Sequence, residues 1–238
     1  MGGAKKHKLT GYHEQSKDPL NSLVLCLPIL FVYEVGLMIS QGSTLNGVDF
    51  ITLLVARQWG VDGLLAFNGG LLLTCLVAIA VLKREERLQP KIVLPIVLES
   101  TAYALIMGSL IVLVMQNLLG LSAGAGQQLS LSERVFVSLG AGFHEELIFR
   151  LVIFGGLLWG LKKLFPKYGT AAILVALVVS STLFSVAHYV GPEAFEVRSF
   201  VYRFLAGLML CGLYATRGFA IAVYTHTIYD IYVLVLRG

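Results

Sequence analysis

Charge is scarce in this chain. Only 13% of its 238 residues are Asp, Glu, Lys or Arg, against about 25% in a typical soluble domain. Cysteine is scarce too. Cys26, Cys75 and Cys211 all lie in apolar runs, without CxxC or Cys/His spacing, which argues against disulfides or a thiolate zinc centre and for small packing residues. No polar stretch is long enough to fold separately, and there is no internal repeat or low-complexity segment, so one domain is expected. What fills the space is hydrocarbon: 57% of residues are hydrophobic and the mean hydropathy is +0.80. The net charge of +4 does not point to nucleic acid, because the basic residues sit in short segments between apolar runs, where they set membrane topology.

The expected fold class is all-α: a polytopic bundle of about seven transmembrane helices in a lipid bilayer. The chain divides into a basic cytoplasmic tail, 1–19, and one transmembrane domain, 20–238. Expected spans are 20–40, 63–82, 92–119, 134–161, 170–189, 199–215 and 218–236. The first reads as an uncleaved span rather than a signal peptide, since it holds Pro28 and Glu34. The mixed stretch 41–62 contains a short apolar piece, Phe50–Ala56, expected in the interface. An eighth span near 48–59 would invert everything after it. Lys5, Lys6, Lys8 and Lys17, then Lys83, Arg84, Arg87 and Lys91, then Lys162, Lys163 and Lys167 form rich segments, separated by single Arg57 and Arg134. That alternation argues against the eighth span and places the N-terminus in the cytoplasm. A plasma (inner) membrane location is expected.

Charges inside the spans need a reason, since each costs at least about 2.5–3.5 kcal/mol at the bilayer centre. Glu145, Glu146 and Arg150 sit inside 134–161. Glu146 and Arg150 are four apart, in the favourable order for an ion pair. Glu145 faces elsewhere on an α-helix and has Ala141 and Phe149 at its i−4 and i+4 places, so its partner must come from another helix. Phe184 and His188 are four apart on the fifth span, and His226 and Asp230 on the seventh. Singly, each has a plain reading: a structural clamp, a helix-end cap, an intrahelical hydrogen bond. Together they are best satisfied by converging on one another.

Glu-Glu-x-x-x-Arg at 145–150, Phe-x-x-x-His at 184–188 and His-x-x-x-Asp at 226–230 resemble the three motifs of the CPBP intramembrane protease family. That family includes CAAX-prenyl endopeptidases of the Rce type and bacterial relatives. The resemblance covers about 134–236. It implies an intramembrane endopeptidase acting on a membrane-anchored or C-terminally tagged protein. On that resemblance Glu145 and His188 would activate water, and His226 with residue 230 would hold the oxyanion. Glu146 and Arg150, with Phe184, would support the site. The family often has asparagine where this chain has Asp230. An ionised aspartate cannot donate to an oxyanion, so it would either orient His226 or stay protonated.

No cofactor is expected. A divalent metal such as zinc would find Glu145, His188 and His226 as ligand types, but His144-Glu145-Glu146-Leu147-Ile148 is not an HExxH helix, and the metal-free reading is favoured. Glu34, Glu99 and Arg203 are expected to pair with one another or to line a polar cavity. Gly156 and Gly160 have the spacing of a close helix contact. The depth of the motif residues along their spans points to a cavity opening to the non-cytoplasmic side. Two other function classes remain open: a non-proteolytic scaffold or immunity protein of the same fold, and a proton-coupled transporter. The absence of visible paired repeats counts mildly against the transporter.

Overall fold

A computed structural model describes residues 11–40, 49–84, 90–118, 130–190 and 194–236. The first ten residues of the basic tail, the charged stop at 85–87, most of the loop 120–132 and the break at 191–193 lie outside the described residues. Among the described residues all regular structure is helical.

A short helix α1, Tyr12–Lys17, precedes α2, Pro19–Ile39. The Asp18 carboxylate accepts from the Asn21 backbone N–H, and Pro19 opens the helix where no N–H is needed. Helix α3 runs Phe50–Arg84 with a break at Gly60, whose φ of +60° favours glycine. The helix therefore begins well before the expected start near 63 and takes in the apolar piece Phe50–Ala56, which the sequence places in the interface. Helix α4, Val93–Leu113, continues through a wide turn to Leu118.

One continuous rod carries the charged motif. It opens as α5, Leu131–Gly140, under a capping box in which the Ser130 backbone N–H donates to the Glu133 carboxylate at 2.9 Å. It widens to π geometry over Ala141–Phe154 and closes as α6, Gly155–Leu164. Then come α7, Gly169–Ala187, α8, Val197–Arg217, and α9, Phe219–Ile231, extended by a wide turn to Leu236. Gly218 joins the last two with φ +95°, and a side chain there would strike the backbone of Lys17 and Ser16.

Among the described residues, five helices are long and apolar enough to cross a membrane: Pro19–Ile39, Thr52–Val81, Val93–Gln116, Pro166–Ala187 and Val197–Arg217. Large apolar side chains such as Phe31, Leu65, Leu73 and Leu174 face outward, the distribution of an integral membrane protein whose solvent is hydrocarbon. Helix α3 packs chiefly on α2 and stays at the periphery. Helix α9 is the centre, packed against α2, α4, α5, α8 and the π segment. Ala220 and Ala222 are fully buried there, and their small side chains let neighbouring backbones approach where burying apolar surface gains little over lipid.

The close approaches are not at the expected pair. Nothing lies within 4 Å of a side chain added at Gly156 or Gly160. The tight position is Gly142, where an added Cβ would overlap Thr227 Oγ1 and lie 2.9 Å from the Thr227 backbone nitrogen. Cys26 and Cys211 are buried and free, as packing residues would be.

Candidate active site

The π stretch sets the site. In the wider turn the Gly155 N–H reaches back to Arg150, and such stretches are rare and concentrate at functional sites. Neighbouring residues are no longer splayed as in an α-helix, and Glu145, Glu146, Phe149 and Arg150 are all buried. Ser180 of α7 donates to the Phe149 carbonyl at 2.6 Å, tying α7 to the rod beside the carboxylates.

Arg150 is completely buried and has a carboxylate on one side and a ring on the other. Its Nε lies 3.1 Å from Glu146 Oε2, and its guanidinium carbon sits 4.2 Å from the Phe184 ring centre. The other oxygen of Glu146 accepts from His226 Nδ1 at 2.7 Å. Glu146 thus bridges a fixed cation and an imidazole from α9, a second partnership that spacing along one helix could not reveal. A carboxylate oxygen accepts, so Nδ1 of His226 carries its proton and Nε2 is turned toward Glu145 and Asp230.

His188 resolves in the same way. Its Nδ1 donates to the Phe184 carbonyl at 2.9 Å, which leaves Nε2 turned toward Glu145. Glu145 Oε2 is 3.9 Å from His188 Nε2 and 3.9 Å from His226 Nε2. Asp230 Oδ2 is 3.5 Å from His226 Nε2. One carboxylate oxygen therefore faces the free nitrogens of two imidazoles from two other helices. The gaps are too long for direct hydrogen bonds and suit a bridging water. Phe184 meets His188, His226 and Phe149 edge-on, with centroids 5.2, 5.9 and 5.4 Å apart. Glu145, His188, His226, Asp230, Glu146, Arg150 and Phe184 all belong to this one cluster.

The other buried charges go elsewhere. Glu34, Glu99 and Arg203 do not pair with one another. Glu99 accepts from Arg217 Nη2 at 2.7 Å and from the Tyr12 hydroxyl at 2.6 Å, which docks α1 on the end of the bundle. Burial first, and the Glu99 carboxylate second, push the Tyr12 phenol well above its ordinary range. Arg203 stacks 5.4 Å from the Tyr189 ring centre. Glu34 lies beside Asp49 and His144. That cluster was missed because Asp49 sits in the mixed stretch 41–62. The available signal was His144, another polar group buried in an apolar rod and in need of a partner.

Residues 127–232 match the family model described as Rce1-like: Type II CAAX prenyl endopeptidase Rce1-like. The matched segment contains the whole π stretch, α6, α7 and α8, and the motif residues of α9. Comparison with curated proteins and with solved structures finds no match.

Proposed function

We propose, from the match of residues 127–232 to the Rce1-like model of type II CAAX prenyl endopeptidases, that the chain is a protease of this kind and cleaves a membrane-anchored or C-terminally tagged protein with a glutamate-activated water. The observation that carries this reading is Glu145 Oε2 at 3.9 Å from both His188 Nε2 and His226 Nε2. A water between Glu145 and His188 can be held by the carboxylate and by the imidazole lone pair at once. Glu145 takes one proton as the water oxygen attacks the scissile carbonyl carbon. The oxyanion forms against His226 Nε2, in a cavity where few waters compete and a donor is strong. Nε2 donates there when His226 is protonated at both nitrogens, a form that Glu146 at Nδ1 and Asp230 at Nε2 accommodate. Collapse of the intermediate breaks the C–N bond, and Glu145 returns its proton to the leaving amine.

Glu146 and Arg150 fix the imidazole of His226 from behind. Asp230 replaces the amide often found at the last motif position, and its role is to orient Nε2 rather than to donate. The proposed reaction needs no metal in this pocket. Tetrahedral zinc with bonds of about 2.0–2.1 Å brings its ligand atoms to roughly 3.4 Å of one another. Among the described residues, the group of three potential ligands within 4.8 Å of each other is Glu34, Asp49 and His144, not Glu145, His188 and His226.

The proposed orientation has the N-terminus in the cytoplasm of the plasma (inner) membrane and the cavity opening to the opposite side. Cysteine labelling at Tyr189 and Val190 is expected from outside only; labelling only from the cytoplasm reverses the orientation. The reaction is tested by comparing membrane proteomes of cells carrying the parent and Glu145→Gln. Proteins that keep an extra C-terminal or transmembrane segment in the variant are the expected result. Unchanged processing in both Glu145→Gln and His188→Ala removes the peptidase reading.

A further inference from the structure

A second polar cluster lies on the other side of the same π segment, and nothing in the proposed cleavage uses it. Glu34 comes from α2, Asp49 from the residue before α3, and His144 from the position before Glu145. All three are buried, and one ligand atom from each lies within 4.8 Å of the others. His144 Nε2 is 3.5 Å from Asp49 Oδ1.

The proton positions make the cluster unusual. His144 Nδ1 lies 3.2 Å from the Gly140 carbonyl. A carbonyl only accepts, so Nδ1 carries the proton and the neutral imidazole turns an Nε2 lone pair toward two carboxyl groups. Glu34 is 3% exposed, and neither of its oxygens has a hydrogen-bond partner. Asn68 faces Glu34; one N–H of its amide goes to the Leu64 carbonyl at 3.0 Å, and the second is left to steady the carboxylate from outside the cluster. Two carboxyl groups and an imidazole lone pair thus converge in a buried place without a hydrogen bond between them, an arrangement that a cation satisfies better than neutral packing.

The surrounding bonds are those of a metal centre's outer shell. A ligating histidine gives its other N–H to a backbone carbonyl, and ligating carboxylates are themselves hydrogen-bonded. Here His144 gives Nδ1–H to Gly140, while Asp49 accepts from the Tyr33 hydroxyl at 3.2 Å and from the Thr52 backbone N–H at 3.1 Å. The geometry points to a divalent metal site formed by Glu34, Asp49 and His144, with zinc as the ion that one imidazole and two carboxylates suit. The ion ties α2, the start of α3 and the π segment together one residue from Glu145. It is a positioning site, separate from the water between Glu145 and His188.

The test is zinc binding by the full chain purified in detergent, after chelation and reloading with zinc alone. The expected result is one ion per chain, lost in Glu34→Gln and in Asp49→Asn and kept in His188→Ala. X-ray absorption at the zinc edge of the parent protein then reads one imidazole among oxygen ligands. No bound zinc, or zinc kept in Glu34→Gln but lost in His188→Ala, overturns the assignment. Should Glu34→Gln and Asp49→Asn fail to fold, the parent spectrum still decides, because two imidazoles would place the ion at His188 and His226. Cleavage is not read in any arm, so failure here leaves the proposed reaction standing.

Discussion

Two glycines on the same rod are expected to behave oppositely when each is changed to alanine. At Gly142 an added Cβ overlaps Thr227 Oγ1 and meets the Thr227 backbone nitrogen at 2.9 Å. Ordinary contact begins near 3.4 Å, so rotating the threonine does not suffice; α9 must move away by about half an ångström or more. Overpacking of this kind costs about 1–3 kcal/mol. The movement also lengthens the reach between Glu145 and His226, which are held by these two elements. A misplacement near 1 Å costs on the order of 10²-fold in rate. Gly156 has nothing within 4 Å, so Gly156→Ala is expected to gain up to ~1 kcal/mol from helix propensity and to keep its activity. Thermal unfolding in detergent and cleavage of a prenylated reporter peptide read both quantities. Parental behaviour in Gly142→Ala, or a loss confined to Gly156→Ala, would refute the packing of the π segment on α9.

Other outcomes follow from the same contacts. Glu145→Gln and His188→Ala are each expected to lower cleavage by roughly 10²–10⁴-fold with unfolding temperatures near the parent's, checked by single-turnover assay and melting. Glu146→Gln leaves the guanidinium of Arg150, wholly buried, without its carboxylate, and is expected to cost about 3–5 kcal/mol. A double variant with Arg150→Met recovers much of that loss in a thermal melt, whereas equal or greater destabilisation argues against the ion pair. Arg217→Ala removes the hub joining Glu99 to α1 and is expected to speed trypsin cleavage after Lys17, read by mass spectrometry. Maleimide is expected to leave Cys26 and Cys211 unmodified until the protein unfolds, since both are fully buried.

Among the described residues, six of the seven expected spans lie within a few residues of their expected bounds, because apolar runs of about 20 residues span lipid as helices, whose backbone bonds are all internal. The exception is α3, where the glycines and aspartates of the mixed stretch 41–62, Gly60 and Asp62 among them, obscured a helix that starts at Phe50. Convergence of Glu145, His188 and His226 followed from the cost of leaving each alone in hydrocarbon. What spacing could not convey was the π geometry at 141–154, since residue pattern was interpreted at α-helical period. It also could not convey that Glu146 serves Arg150 and His226 together, or that Gly142, rather than Gly156 and Gly160, is the point of closest approach. Both depend on which helix lies opposite. Asp49 stayed hidden for the same reason: a carboxylate in a polar stretch looks solvated until a helix is found covering it.

The Phe184 ring touches a guanidinium, two imidazoles and another phenyl ring drawn from three separate rods. A rotation of α7 about its axis would carry that ring, with His188, off Arg150, Phe149 and His226 in one motion. The polar machinery is thus indexed by a hydrocarbon side chain, and shaving it to leucine would detune every ionisable neighbour without touching a single hydrogen bond.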